Sequence, residues 1–213
     1  MQIEVFHFNP FMENTYVLYD STGQGVIIDP GMSNVAEQNV VKGFINEKSL
    51  TITSILLTHA HIDHIFGLQW AQEYYNLPAW CHALEQLVLD STPIITKAYG
   101  LPILEVPENV HFFEEKTTVS FGETTLKIRF TPGHSPGSVC FLEPKNKQLI
   151  VGDVLFKESI GRTDLPGGNY DTLLQSIRSQ LLVLEDDWKV YPGHGPMTTI
   201  GFERTHNPFL VNL

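Results

Sequence analysis

The chain has 213 residues, 42% of them hydrophobic, and its 24 acidic residues outnumber 13 basic ones. The resulting net charge of −11 repels phosphate backbones and argues against a nucleic-acid partner. The length is enough for one buried core, so we expect residues 1–213 to form a single domain.

No targeting or membrane segment is visible in the sequence. Residues 1–9 include neither a basic leader nor an apolar core of signal length, and no run of 18 apolar residues occurs. The two cysteines, Cys81 and Cys140, are too few for a disulfide framework and lie in apolar, strand-like surroundings. We therefore expect a cytoplasmic protein that does not bind membranes.

Strands and helices alternate along most of the chain. Apolar periodicity in the first half predicts, in order, strands at 3–8, 15–19 and 25–28, a helix at 33–48, a strand at 55–57, a helix at 65–75, a strand at 78–81 and a helix at 82–89. Residues 93–107 contain Gly100 and prolines and are expected to be irregular. Strands follow at 110–113, 117–121, 124–130, 139–142 and 149–151, then a helix at 171–185, a strand at 188–191 and a helix at 201–206. This repetition predicts two αβ halves packed face to face.

Four side chains that commonly bind metals lie within six residues, directly after the apolar strand 55–57. They are His59, His61, Asp63 and His64. Neutral imidazoles and a carboxylate are the ligands of zinc and of similar divalent ions. Such a set gathers by chance far less often than a single capping or turn residue does, so we interpret this stretch as a metal site.

Three later strands also end in glycine followed at once by a possible ligand, namely His134, Asp153 and His194. Glycine allows a sharp turn while the strand before it stays in the core. Each of these residues alone would be an ordinary turn residue. Together with the histidine cluster they predict a site for two metal ions.

The seven ligands divide between two ions. One ion would be bound by His59, His61 and His134 and the other by Asp63, His64 and His194. Asp153 would bridge them, because a carboxylate has two oxygens. Asp63 and Asp153 are thus the expected catalytic residues, and a water or hydroxide between the two ions is the expected nucleophile, so neither a serine nor a cysteine is required.

Two further residues have alternative interpretations. Asp29 ends the strand at 25–28 and is either a turn residue or an acceptor for the free ring nitrogen of a ligand histidine. Arg162 either binds a substrate carboxylate or pairs with Asp164 to brace its own loop.

The motif Thr58–His64, together with residues 131–138, 152–153 and 192–196, resembles the metallo-β-lactamase superfamily in its glyoxalase II-like branch. This resemblance implies an α/β fold, namely an αβ/βα sandwich of two mixed β-sheets with helices on the outer faces. It also implies a dinuclear zinc site with the seven ligands named above, and iron or manganese are further possibilities for the metal.

The short bacterial members of this branch are the most similar. Residues 195–213 are too few for the C-terminal helical domain that binds glutathione in longer relatives, so we expect none. The implied function is a glyoxalase II-like hydrolysis of small-molecule thioesters of the hydroxyacylglutathione type, such as S-lactoylglutathione. The alternatives are a mononuclear iron enzyme like the persulfide dioxygenases, which share the Gly161–Asp164 pattern, and a non-catalytic metal-binding module.

Overall fold

Two six-stranded sheets form the centre of the fold. The computed structural model describes residues 1–102, 104–106, 109–113 and 118–211. Each sheet mixes parallel and antiparallel pairs, and a separate two-stranded ribbon lies, in chain order, between two strands of the second sheet. Among the described helices, none is long and apolar enough to cross a membrane.

The first sheet contains the first six strands in sequence order. They are β1 (Gln2–Phe8), β2 (Glu13–Tyr19), β3 (Gln24–Ile28), β4 (Thr51–Leu56), β5 (Ala79–Cys81) and β6 (Val110–Phe112). The pairs β1–β2 and β2–β3 are antiparallel, whereas β3–β4, β4–β5 and β5–β6 are parallel. Parallel neighbours bring the carboxyl ends of β3 and β4 to one edge, where the histidine motif begins.

The second sheet has the spatial order β14-β13-β10-β9-β8-β7. Its strands are β7 (Thr118–Phe121), β8 (Thr124–Phe130), β9 (Val139–Glu143), β10 (Gln148–Gly152), β13 (Lys189–Pro192) and β14 (Thr198–Thr199), and the ribbon consists of β11 (Leu155–Phe156) and β12 (Ser159–Ile160). Only β10 and β13 are parallel within the described part of this sheet. Their carboxyl ends therefore also meet at one edge.

Apolar side chains from both sheets form the central core. Tyr16 and Leu18 point inward and pack with Phe141 and Ile150 of the second sheet. Val17, between the first two, points outward because side chains alternate along a strand. Nearly every residue of β2 is buried, since both faces of the sheet are covered.

Helices cover the outer face of each sheet. On the first sheet these are α1 (Val35–Glu47), the short α2 (Ile62–Ile65), α3 (Leu68–Tyr75) and α4 (Gln86–Ala98), while α5 (Tyr170–Ser176) covers the second and α6 (Ile200–His206) follows β14. This arrangement confirms the predicted αβ/βα sandwich of two mixed sheets. The predicted amphipathic helix 171–185 is α-helical only to Ser176 and continues as one π-helical turn at Ile177–Leu181.

The prediction of an irregular segment from residue 93 was wrong. Helix α4 runs through Pro93 and ends at Ala98. Its buried residues, Val88, Leu89, Thr92 and Thr96, recur at helical spacing on one side. Burial of this face outweighs the hydrogen bond that proline removes. Residues 99–102 and 104–106 form no helix or strand, as expected, and positions 103 and 107 lie outside the described residues.

Candidate metal centre

The histidine motif leaves β4 and turns into α2. His59 and His61 lie on the extended segment, and Asp63 and His64 lie on the helix. The backbone amide of His64 donates to the carbonyl of His61 at 3.0 Å, which closes the turn. The turn directs the second pair of side chains toward a different point from the first pair.

The second sheet supplies its three candidates from the ends of β8, β10 and β13. The amide of Gly193 donates to the carbonyl of Gly152 at 2.8 Å, so the turns carrying Asp153 and His194 lie side by side. A Cβ on Gly193 would overlap Asp153 Oδ1 and lie 2.7 Å from His64 Cε1. Glycine is therefore required at 193 for the backbone to pass this close to the site.

Two groups of three ligand atoms converge, and all atoms within each group lie within 4.8 Å of one another. The first group is His59, His61 and His134, in which His134 Nε2 lies 2.9 Å from His61 Nδ1 and 3.3 Å from His59 Nε2. The second group is Asp63, His64 and His194, in which His194 Nε2 lies 3.0 Å from Asp63 Oδ2. The two groups match the division expected from the sequence.

Asp153 lies between the groups. Its Oδ2 is 3.5 Å from His134 Nε2 in the first group and 3.6 Å from His194 Nε2 in the second. Its Oδ1 is 3.5 Å from His64 Nε2. A single carboxylate thus faces both groups, and the structure brings all seven candidate ligands together.

Backbone carbonyls fix the orientation of two of the imidazoles. His134 Nδ1 donates to the carbonyl of Arg162 at 2.7 Å, and His194 Nδ1 donates to the carbonyl of Phe11 at 3.1 Å. A ring nitrogen that donates to a carbonyl carries the proton, so the Nε2 lone pair of each ring faces the site.

Asp29 orients two further histidines from a buried position. Its Oδ2 accepts from His64 Nδ1 at 3.1 Å and from the Thr58 hydroxyl at 2.6 Å, and its Oδ1 accepts from the Thr58 amide at 2.7 Å. The Thr58 hydroxyl in turn lies 3.0 Å from His59 Nδ1. Asp29 also groups geometrically with His59 and His64 as a possible ligand. Because its oxygens already accept these hydrogen bonds, we interpret it as the acceptor that the sequence suggested.

The chemistry of the site fits divalent cations. His64 Nε2 and Asp153 Oδ1 are buried and have no hydrogen-bond partner among the described residues. If His64 donates through Nδ1, an imidazole lone pair and a carboxylate oxygen face each other at 3.5 Å. Such a pair is stable only with a positive charge between the two atoms.

The pKa shifts agree with this requirement for positive charge. Burial and the neighbouring imidazoles lower the pKa of His59, and burial lowers that of His61 to about 3, so both are neutral as metal binding requires. Burial alone would lower the pKa of His64, but Asp153 and Asp63 outweigh it and raise the pKa. Burial raises the pKa of the Asp153 carboxyl, but the surrounding imidazoles lower it by more, so this carboxyl is ionised.

Arg162 forms a bidentate ion pair with Asp164. Its Nε and Nη2 donate to the two carboxylate oxygens at 2.7 Å each. This is the loop-bracing alternative of the sequence analysis. Arg162 also lines the cavity beside the candidate ligands.

Glu85 is a site residue that sequence reasoning missed. Its side chain is fully buried, and Oε2 accepts from the amide of Ala60, which separates His59 from His61, at 2.7 Å. Its Oε1 accepts from the Ser135 hydroxyl and the Gly137 amide, both at 2.6 Å. Glu85 therefore ties together the two loops that carry the first group of ligands. In the sequence, Glu85 lies within the predicted helix 82–89, and no motif there indicates this contact.

Asn14 has a similar role beside the second group. Its Nδ2 donates to the carbonyls of Pro192 and Gly195 at 2.9 Å each, and its backbone amide donates to the carbonyl of Gly193 at 2.7 Å. The start of β2 thus holds the loop of His194 against the first sheet. A lone asparagine in a strand sequence does not indicate such a contact.

An αβ/βα sandwich with histidines and aspartates gathered at one sheet edge is the arrangement of a metalloprotein. The family model of the metallo-β-lactamase superfamily matches residues 8–194, and the chain belongs to this superfamily.

Three similar proteins illustrate the range of this family. The hydroxyacylglutathione hydrolase GloC of Haemophilus influenzae is 36% identical over 213 residues, which cover 99% of this chain and 98% of GloC. The B3 metallo-β-lactamase BLEG-1 superimposes with a TM-score of 0.90 at 37% identity, covering 98% of this chain and 99% of BLEG-1. TTHA1623, solved in a di-iron-bound form, gives a TM-score of 0.86 at 37% identity, with 97% and 100% coverage. Members of one fold at similar identity thus carry different names.

Proposed function

We propose that this protein is a hydrolase that uses two divalent metal ions. The observation that carries the proposal is the convergence of two three-residue ligand groups on the single carboxylate of Asp153. Zinc suits the nitrogen-rich first group, and iron is compatible because TTHA1623 binds two iron ions.

Each candidate ligand has a defined role in this proposal. His59, His61 and His134 would hold one ion, Asp63, His64 and His194 would hold the other, and Asp153 would contact both. When bound, two such ions polarise a carbonyl oxygen and lower the pKa of water to about 7.

The residues around these ligands keep them in place. Asp29 fixes the ring of His64 and, through Thr58, that of His59. Glu85 holds the two loops of the first group at their spacing. Because these supports are buried and already hydrogen-bonded, the ligands need little rearrangement to bind the ions.

The proposed substrates are small thioesters of the hydroxyacylglutathione type. The similarity to GloC supports this class, and so does the chemistry of the leaving group. A thiol has a pKa near 8.5, so a thiolate leaves readily at neutral pH and needs no separate general acid. Apart from the candidate ligands Asp63 and Asp153, the described lining residues of the cavity include no lysine and no carboxylic acid.

Metal analysis together with a thioester assay tests the proposal. Protein purified without chelators should contain close to two divalent ions per chain and should hydrolyse S-lactoylglutathione. Removal of the ions should abolish hydrolysis, and their return should restore it. One ion per chain, unchanged after zinc is added, together with oxygen uptake on a glutathione persulfide, would replace this proposal with the dioxygenase alternative.

A further inference from the structure

A cavity of about 620 Å³ opens directly beside the candidate metal centre. Asp63, His134, Asp153 and His194 line its inner end. The volume lies within the roughly 300–1,000 Å³ of pockets that enclose drug-sized ligands. The cavity is therefore larger than a lactoyl group and its thioester carbonyl require. Its remaining walls are placed to contact the rest of the substrate.

One long wall of the cavity is formed by α4 and by Tyr99, which directly follows this helix. Within the helix, the apolar lining residues include Leu87, Val88 and Ile95. Leu87 is 71% exposed and Tyr99 is 52% exposed, although both are large and apolar over most of their surface. Apolar surface left open beside a reactive centre indicates a binding site for an apolar group.

The facing walls are apolar as well. Phe11 packs edge-to-face against Tyr99, with ring centroids 6.2 Å apart, and together they bound one side of the cavity. Phe156, Leu165 and Pro166 line other parts of it. Aromatic and aliphatic surfaces thus surround the path from the solvent to the candidate ligands.

Charge is scarce in this cavity. Apart from the candidate ligands, Arg162 is the one charged side chain among the described lining residues. Its guanidinium is already engaged by both carboxylate oxygens of Asp164. Glutathione carries two carboxylates and an ammonium group, and each would lose water here without gaining a free partner of opposite charge.

We propose that the preferred substrate is a thioester with one extended apolar substituent, an alkyl or aryl group, which occupies this cavity. This inference rests on the proposed function, because it assumes that the thioester carbonyl lies at the candidate ligands. The apolar group belongs either to the acyl side or to the sulfur side of the thioester, since both meet at the same carbonyl.

Two matched series of thioesters test this substrate class. In the first, the acyl chain of N-acetylcysteamine thioesters grows from acetyl to octanoyl. In the second, the acyl group stays acetyl and the alkyl chain on sulfur grows by the same number of carbons. We expect kcat/KM to rise about fourfold per methylene in one series until the cavity is filled, and the series that rises identifies the side that the cavity binds.

Two substitutions on α4 provide a matched pair. Leu87 lines the cavity, whereas Ile94 lies on the same helix, is 74% exposed and does not line it. Leu87→Gln should lower kcat/KM for the longest substrate of the rising series about threefold to tenfold, and should lower it less for the shortest member of that series. Ile94→Gln should change neither, and because both side chains are exposed, both variants should fold.

Binding of a non-hydrolysable alkyl thioether, measured by calorimetry, makes the test independent of turnover. The octyl compound should bind more tightly than the ethyl compound, and Leu87→Gln should weaken only the octyl compound. Equal binding of the two thioethers would overturn the apolar-substituent inference, and so would S-lactoylglutathione having the highest kcat/KM of the panel. Length-dependent binding without hydrolysis of any thioester would refute the proposed function and leave the apolar cavity as a binding site.

Discussion

Replacing Glu85 by glutamine should weaken the first group of candidate ligands without touching a ligand. All three contacts of the Glu85 carboxylate come from donors, namely Ala60 N, Ser135 Oγ and Gly137 N. Glutamine has one acceptor oxygen and one NH₂ group. In either orientation of the amide, its NH₂ faces at least one backbone N–H that loses its partner.

The expected magnitude follows from these contacts. An unsatisfied buried donor costs about 1–3 kcal/mol, so Glu85→Gln should lower the free energy of unfolding by about 2 kcal/mol. Ala60 lies between His59 and His61, and Ser135 follows His134, so the strain falls on the ligand loops. Loss of a residue that orients metal ligands typically costs 10–100-fold in metal affinity, and we expect a loss in this range.

Glu203 provides a matched control. It is also fully buried and accepts three hydrogen bonds, from Thr198 Oγ1, Glu158 N and Asn207 Nδ2, but it has no contact with the candidate ligands. Glu203→Gln should leave metal binding unchanged and cost less stability than Glu85→Gln, because its NH₂ can donate to the Thr198 hydroxyl while its oxygen keeps the other two donors. Zinc titration of the metal-free proteins by calorimetry and thermal unfolding with and without zinc measure the two effects. Wild-type affinity for both ions in Glu85→Gln would show that Glu85 serves only stability.

Three further predictions follow from single features. Asp153→Asn should lose one of two ions in elemental analysis and lower hydrolysis about 100-fold or more; wild-type turnover would contradict the bridging role. Removing the ions should lower the midpoint of thermal unfolding, and added zinc should raise it again in a concentration-dependent way. Burial raises the pKa of Asp20, but hydrogen bonds from Thr22, Glu123 and Thr124 lower it by more, so this pKa is about 2. Asp20→Asn should therefore lower the free energy of unfolding by up to about 1 kcal/mol at pH 7, a value discounted for the exposure of the side chain. Urea unfolding should show the difference between variant and wild type shrinking from about pH 4 and vanishing near pH 2.

That the candidate ligands lie together could be predicted because the signal for it is local. Each candidate follows the end of a strand by one to eight residues, and a strand fixes the place where its end emerges. The turn at α2 follows from the two different directions that His61 and His64 must take. The layers could be predicted because both sheets bury alternating residues, as Tyr16 and Val17 illustrate.

The supports of the site could not be predicted because they depend on long-range packing. Glu85 is 50 residues from Ser135 in sequence, and Asn14 is 178 residues from Pro192. No periodicity or motif marks either pair. Helix α4 was missed beyond Pro93 for a related reason, since proline is a strong local signal and the buried face that overrides it becomes visible only in the packed structure.

The segment from Ala83 to Ala98 connects metal binding with substrate binding. Glu85 ends a short 3₁₀ turn and reaches inward to the ligand loops, and α4 begins at the next residue and presents Leu87 to the cavity. A shift of this segment would change both the spacing of the first ligand group and the apolar wall. Exposed side chains that line the cavity, such as Leu87, can therefore vary and alter substrate choice, whereas replacement of the buried Glu85 also disturbs the metal centre. Relatives that share the ligands but differ along this helix are accordingly expected to act on different substrates.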